Sequence, residues 1–331
     1  MKGPRTDGTG ILRGENGFAY ACEWDWVKWP EELKGIHTLN GAFLENRNLI
    51  TATDDKNAPL IEITPDGELV RIFGQGLFDK AHSVTITPEH TILSADTGMH
   101  AHIIQELTMG GELIRTFGTY VVCSDSGYDP KYLEVLKARN EVPDDPSWNK
   151  RPDFNARLDS IKRAGRPFGR PCAMKKDSQG RYYAADGYAN AAVHRFSAEG
   201  VLEKTWGAPG KGPGQFRIVH DIYIDPEDRL WIADRENACI HVYDTEGNLL
   251  VYIDEGLFKV GGIWGDGELV YVGEMSGGFT IMDLEFRRIA QFGAPGSPLH
   301  AHGISCDKDG NVYLFTNKRS PVNNIVRLRR I

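Results

Sequence analysis

The chain has 331 residues, 40% of them hydrophobic and 25% charged, with a formal net charge of −8 at pH 7. Those proportions belong to an ordinary soluble globular protein, long enough for one large β domain or two smaller ones. Acidic and basic residues are interspersed, which argues against a nucleic-acid partner because phosphate binding needs a basic face, and no stretch approaches the roughly 18–20 apolar residues of a membrane span.

At the start, Met1 to Gly8 lack the apolar core of a signal peptide. The five cysteines, Cys22, Cys123, Cys172, Cys239 and Cys306, are odd in number, far apart and form no CxxC pair. That usage fits a reducing compartment, so a cytoplasmic location is expected.

From about Asn40 onward the chain repeats. Six copies align on one offset: Asn40 to Asp54, His82 to Asp96, Cys172 to Asp186, His220 to Asp234, Val260 to Glu274 and His302 to Thr316, each 14 residues apart. The first residue of each pair opens an apolar strand, and the second ends the next one. The clearest copy, Lys204 to Leu250, contains four short apolar segments separated by Gly/Asp/Pro turns, the pattern of a four-stranded antiparallel meander. Phe73-Gly74, Phe117-Gly118, Trp206-Gly207 and Phe292-Gly293 mark the ends of outer strands, and Asp66-Gly67, Glu199-Gly200, Glu246-Gly247 and Asp309-Gly310 read as hairpin turns.

One stretch breaks the rhythm. From His220 to His302 the spacing is 82 residues, two modules of 41, whereas from His82 to His220 it is 138. The excess lies at about 120–166, where Tyr132 to Arg139 and Phe154 to Lys162 look helical. This segment is expected to decorate a loop, as a lid or as a contact for self-association. Modules of this kind cannot bury both faces alone, so they stack radially and close. The expected fold is all-β: one six-bladed β-propeller domain over 1–331 with a small helical insertion at about 120–166.

In such a ring alternate copies lie about 120° apart, so His82, His220 and His302, in copies two, four and six, converge on the central axis. A lone strand histidine is usually a satisfied core residue, and Asn40, Cys172 and Val260 show that the slot does not demand one. Three in alternate slots point instead to a shared metal, since three imidazoles with an open axial direction are a ligand set of catalytic zinc. Asp96, Asp186 and Asp234 recur at a repeat position and read as turn or blade-linking residues.

The motif Trp/Phe-Gly, Gly-rich loop, Gln-Phe, strand, Ala-Asp-x-x-Asn resembles the NHL repeat. More closely, Asp186-Gly187-Tyr188-Ala189-Asn190, Gly214-Gln215-Phe216 leading to His220, and Ala233-Asp234-Arg235-Glu236-Asn237 resemble the peptidyl-α-hydroxyglycine α-amidating lyase family, and the likeness starts at Trp24-Asp25-Trp26-Val27-Lys28-Trp29-Pro30. The resemblance implies zinc on His82, His220 and His302, Tyr188 as an active-site residue and Arg235 in the same cavity; a cation beside Tyr188 would favour its phenolate and suit it to act as a general base. It also implies cleavage of the carbon–nitrogen bond of an α-hydroxy-amide (a carbinolamide).

Several departures bear on what carries over. The family's substrate-facing arginine in the first blade is missing from Thr51 to Lys56, which leaves Lys56 as the substrate-facing candidate there. Gly303 follows His302 where the family has an acid that helps to hold calcium, so calcium is expected to be absent or held differently. Gly169, Ala189, Trp231 and Val242 stand where its disulfide cysteines would be. The insertion has no counterpart.

His100, His102 and His300 are further candidates for contact with substrate. Tyr188 also reads as a strand-end packing residue, and Arg235 as a partner for Asp186 or Asp234. The expected activity is a zinc-dependent lyase acting on a small molecule. Its alternatives are a metal-dependent hydrolase of a lactone or ester, and a non-enzymatic NHL module that binds a protein or ligand.

Overall fold

A computed structural model describes residues 10–316 and 325–331. The stretch read for a signal peptide, and part of the last loop, lie outside the described residues. After β1 (Ile11–Arg13) and β2 (Ala19–Glu23), the strands fall into sets of four. The first blade holds β3 (Thr38–Phe43), β4 (Leu49–Thr53), β5 (Leu60–Ile63) and β6 (Leu69–Phe73), and the second β7 (Thr85–Ile86), β8 (Thr91–Asp96), β9 (Ile103–Thr108) and β10 (Leu113–Gly118). Three helices follow, α1 (Tyr132–Arg139), α2 (Pro146–Asn149) and α3 (Pro152–Asp159). The third blade is β11 (Ala173–Lys176), β12 (Tyr182–Asp186), β13 (Ala192–Phe196) and β14 (Leu202–Trp206), and the fourth β15 (Val219–Ile224), β16 (Leu230–Asp234), β17 (Cys239–Tyr243) and β18 (Leu249–Ile253). The fifth is β19 (Val260–Gly265), β20 (Leu269–Glu274), β21 (Gly278–Asp283) and β22 (Arg288–Phe292). Only β23 (Gly303–Cys306), β24 (Val312–Phe315) and β25 (Ile325–Arg330) remain for the sixth.

The missing outer strands come from the other end of the chain. The sixth sheet runs β23-β24-β25-β2-β1, and β2 pairs antiparallel with β25 through Tyr20↔Arg330 to Glu23↔Arg327. The six-bladed ring is therefore closed by backbone pairing between distant segments. This closure was not part of the repeat count, because β1 and β2 lie before the first recognisable copy.

Burial follows position in the blade. Middle strands such as β12 (YYAAD) and β16 (LWIAD) are buried at every residue, whereas the outer β14 (LEKTW) and β18 (LLVYI) carry exposed residues. A strand sandwiched between neighbouring blades has no wet face, so its sequence is a continuous apolar run rather than an alternation. The cores form between blades: Tyr183, Ala185 and Val193 of the third pack with Ile222, Leu230 and Ile232 of the fourth.

In the second to fifth blades the acid at the 14-residue offset fastens the blade to the segment entering it. Asp96 accepts from the Asp79 and Lys80 amides (2.7 and 3.0 Å), Asp186 from Gly169 (2.8 Å), Asp234 from Arg217 and Ile218 (3.0 Å each) and Glu274 from Phe258 (2.9 Å). These satisfy buried amides that no strand partner reaches. The offset is thus a ruler that fixes where the inner strand starts.

Within the insertion, α1 spans the expected residues, but the last helix is Pro152–Asp159 rather than 154–162, and α2 was not expected. Both differences have local causes. A proline opens each helix, where its missing N–H costs nothing, and the Asp145 carboxylate accepts from the Ser147 and Trp148 amides to start α2. The insertion is anchored firmly. Leu158 and Ile161 join the core between the third and fourth blades, Asn190 bonds both the amide and the carbonyl of Gly165 (2.9 and 3.1 Å), and Arg217 pairs with Asp159 at 2.8 Å.

Candidate metal centre

His82 and His302 lie just before β7 and β23, and His220 lies within β15. Their amides are held by the next strand or the strap beside it: His82 N–H donates to Ala95 and His302 N–H to Phe315 (2.9 and 2.8 Å). Alternate inner strands therefore aim three imidazoles at the axis. Ring centroids are 4.7–4.9 Å apart and each residue is at most 5% exposed. One ligand nitrogen from each lies within 4.8 Å of the others.

At their inner strands the odd blades contribute to this centre through backbone carbonyls. His82 Nδ1 donates to the Cys172 carbonyl and His302 Nδ1 to that of Leu39, both at 2.8 Å, and His220 Nδ1 donates to Gly261. A carbonyl only accepts, so each Nδ1 carries the proton and each Nε2 keeps its lone pair. Such carbonyl partners fix ring orientation and tautomer in metal sites. They also explain why Asn40, Cys172 and Val260 share no side-chain chemistry: carbonyls beside or at these slots are what the histidines use.

Burial holds all three imidazoles neutral, helped for His302 and His220 by the nearby Arg235 charge and for His82 by His302. For His302 the pKa falls to about 3. Three neutral, preoriented imidazoles fit a divalent zinc-type ion. At Gly303 an added Cβ would meet the Leu39 carbonyl oxygen at 2.5 Å, so a carboxylate has no room where the resembling family uses one for calcium.

Tyr188 leans over this triangle. Its oxygen lies 3.1 Å from His220 Nε2 and 3.3 Å from His82 Nε2, and it accepts from Arg235 Nη1 at 2.7 Å. The approach depends on Gly187, where a Cβ would sit 2.3 Å from the Val219 carbonyl oxygen, so only glycine lets the third blade's loop reach the strand carrying His220. Burial raises the phenol's pKa and the Arg235 guanidinium pulls the other way. Arg235 is itself 4% exposed and pairs with Glu236 at 3.0 Å rather than with Asp186 or Asp234.

A cavity of about 250 Å³ opens above Tyr188, Arg235 and His302. Its walls include residues that the sequence did not assign to the site: His37, Asp54, Lys80, Lys259 and Met275 from the propeller, and Arg151 and Phe154 from the insertion. Asp54 departs from its repeat counterparts, since its carboxylate meets His37 at 3.2 Å and Lys80 at 3.8 Å at the cavity edge. The proposed substrate contacts His100, His102, His300 and Lys56 do not line this cavity. His100 and Lys56 are exposed, His102 is buried in the turn between β8 and β9, and His300 bonds the Met275 carbonyl at 2.9 Å. Lys56 falls in clefts lined in part by Asn57 and Asp79.

The second cluster with metal-ligand chemistry, Asp234, Cys239 and His241, lies inside the fourth blade. There His241 Nδ1 accepts from the Gly214 amide (3.3 Å), so its proton sits on the nitrogen facing Asp234 and Cys239. That is the arrangement of a buried polar network.

The family model for the NHL repeat matches residues 216–243. Peptidyl-glycine alpha-amidating monooxygenase A of Xenopus laevis is 38% identical over 80 residues, 22% of this chain and 9% of that protein. NHL repeat-containing protein 3 of Homo sapiens is 22% identical over 264 residues, 72% of this chain and 63% of that protein. The chain thus spans less than two thirds of either relative. A gluconolactonase structure from Xanthomonas campestris superposes with a TM-score of 0.58 at 11% identity, covering 100% of this chain and 96% of that one, which speaks to the fold. The chain is a six-bladed β-propeller bearing an NHL repeat, with partial homology to amidating monooxygenases and to NHL repeat-containing protein 3.

Proposed function

We propose that this protein is a zinc-dependent lyase that splits the carbon–nitrogen bond of a small α-hydroxy-amide, giving an amide and a carbonyl compound. The observation that carries this reading is the phenol of Tyr188 set 3.1 and 3.3 Å from two of three converging Nε2 atoms and backed by Arg235 at 2.7 Å. His82, His220 and His302 would hold the ion, which when bound supplies a positive charge that polarises a substrate oxygen.

The remaining work falls to side chains. Tyr188 is placed to take the hydroxyl proton and return it to the departing nitrogen as the C–N electron pair leaves and the C=O bond forms, so no other reactant is consumed. Arg235 donates to the phenol oxygen and favours its charged form against the burial that opposes it. Phe154, from the insertion, and Met275 supply apolar wall.

A cytoplasmic setting is part of the proposal and rests on the five unpaired thiols; among the described residues no helix is long and apolar enough to cross a membrane. Self-association through residues 120–166 is proposed alongside, and a monomer in sedimentation velocity at high micromolar concentration would remove it. The activity is tested by metal analysis of the purified protein followed by turnover of carbinolamides and, in parallel, of lactones and esters. Stoichiometric zinc with carbinolamide cleavage supports the reading; turnover of lactones alone overturns it.

A further inference from the structure

The charge balance at the mouth of this channel is lopsided. Four cations, Lys80, Arg151, Arg235 and Lys259, line a cavity with two carboxylates, Asp54 and Glu236, on a chain whose net charge is −8. One carboxylate serves three of those cations: Glu236 lies 3.0 Å from Arg235, 2.9 Å from Lys259 and 3.5 Å from Arg151. It orders them without neutralising them. A positive cleft on an acidic protein concentrates anions from solution.

The two outer cations are placed with care. Arg151 belongs to the insertion, at the start of α3, and its guanidinium sits 3.6 Å over the Phe154 ring, which fixes its plane. Lys259 holds φ at +60°, in the left-handed region that disfavours any residue with a side chain. Glycine would relax that backbone, so what the position gains from lysine is its side chain. Arg235 bridges two halves of the cavity, one end on Tyr188 and the other on Glu236. The Arg151–Lys259 pair therefore lies across Glu236 from the reacting end.

Resting on the lyase reading above, we propose that the substrate is a small α-hydroxy-amide with two anionic groups, the first drawn to the Lys80 and Arg235 side of the cavity and the second, a carboxylate, seated on Arg151 and Lys259. A planar guanidinium and a neighbouring ammonium suit a carboxylate, the first by a bidentate fork and the second as a point charge. The first blade, which offers Lys56 where the resembling family has arginine, does not supply this seat; the insertion and the entry to the fifth blade do.

Succinate, succinamate and succinamide serve as dianionic, monoanionic and neutral probes in titration calorimetry of the purified protein. The wild-type protein is expected to bind succinate at least ~10-fold more tightly than succinamate, the scale of one good charged contact. Arg151→Gln and Lys259→Gly should each erase most of that difference. Lys259→Gly should leave the melting temperature unchanged or raise it, which separates loss of the seat from loss of the fold. His220→Ala should keep the preference, because the seat is apart from the histidines. Equal affinity for succinate and succinamate, or a preference that survives both substitutions, overturns the seat. A preference that stands while no carbinolamide is cleaved leaves the seat intact and removes the lyase reading.

Discussion

At the scale of single residues, the convergence of the three histidines was legible from their repeat slots and the nearness of Tyr188 from its motif, whereas the place of Arg151 on the cavity wall was not, because nothing local marks it. Replacing His220 by Ala should abolish most metal binding, read by plasma emission, while far-ultraviolet dichroism stays as it is, because Gly261 and the blades around it remain. Tyr188→Phe keeps the edge-on ring contacts with His82 and His220 and removes only the phenol. It should lower kcat by about 10²-fold or more in steady-state kinetics if that oxygen carries the proton. Arg235→Lys keeps charge but loses the fork that spans Tyr188 and Glu236, so KM should rise at least as much as kcat falls. Near wild-type kinetics for Tyr188→Phe would assign the proton transfer to another group.

The histidines also set a pH dependence. The unfolded chain takes up a proton at His302 below about 6.5, whereas the folded one resists until about 3. Protons therefore favour the unfolded state through that window, and stability falls as pH drops. By pH 5 the loss from His302 alone is about 2 kcal/mol. His82 and His220 shift the same way. Melting curves of the metal-free protein should show a steeper fall between pH 7.5 and 5 than those of His302→Gln; parallel slopes would contradict the buried neutral state.

At the scale of elements, the 14-residue offset carried the fold, because it records one physical event, an acid at a strand end satisfying amides of the incoming strap. Asp234→Ala leaves the Arg217 and Ile218 amides without an acceptor and should cost about 3 kcal/mol in urea titrations. Asp54→Ala, where the same slot has been turned to the cavity, should cost less than about 1 kcal/mol and instead alter KM. Equal destabilisation by the two would mean that the slot serves one purpose throughout. The apolar run of each middle strand was readable as a strand, and the doubled glycine–acid turns as hairpins. The helices of the insertion were blurred at their edges because their signals are proline and aspartate at the first turn rather than an apolar period. Its docking onto the third and fourth blades rests on Leu158, Ile161 and Asn190, which meet only in three dimensions.

At the scale of the whole molecule, stability depends on the join between β2 and β25. Glu23 bonds Arg327 across 304 residues and Arg329 at 3.0 Å. Tyr20, fully buried, stands edge-on to Phe279 and Phe292 of the fifth blade at 5.7 and 5.3 Å. Tyr20→Ala should cost about 3–5 kcal/mol and speed hydrogen exchange in β2 and β25 ahead of the other blades, and uniform exchange would place the weak point elsewhere. This join also imposes an order of events during synthesis. β25 follows β2 by some 300 residues, so at roughly 5–20 residues per second β2 waits on the order of 15 seconds to a minute with only β1 to pair with. His302 follows His220 by 82 residues, so the three-histidine set is incomplete until the chain reaches its sixth blade. An ion held by all three histidines would therefore report that the chain has been made as far as its sixth blade.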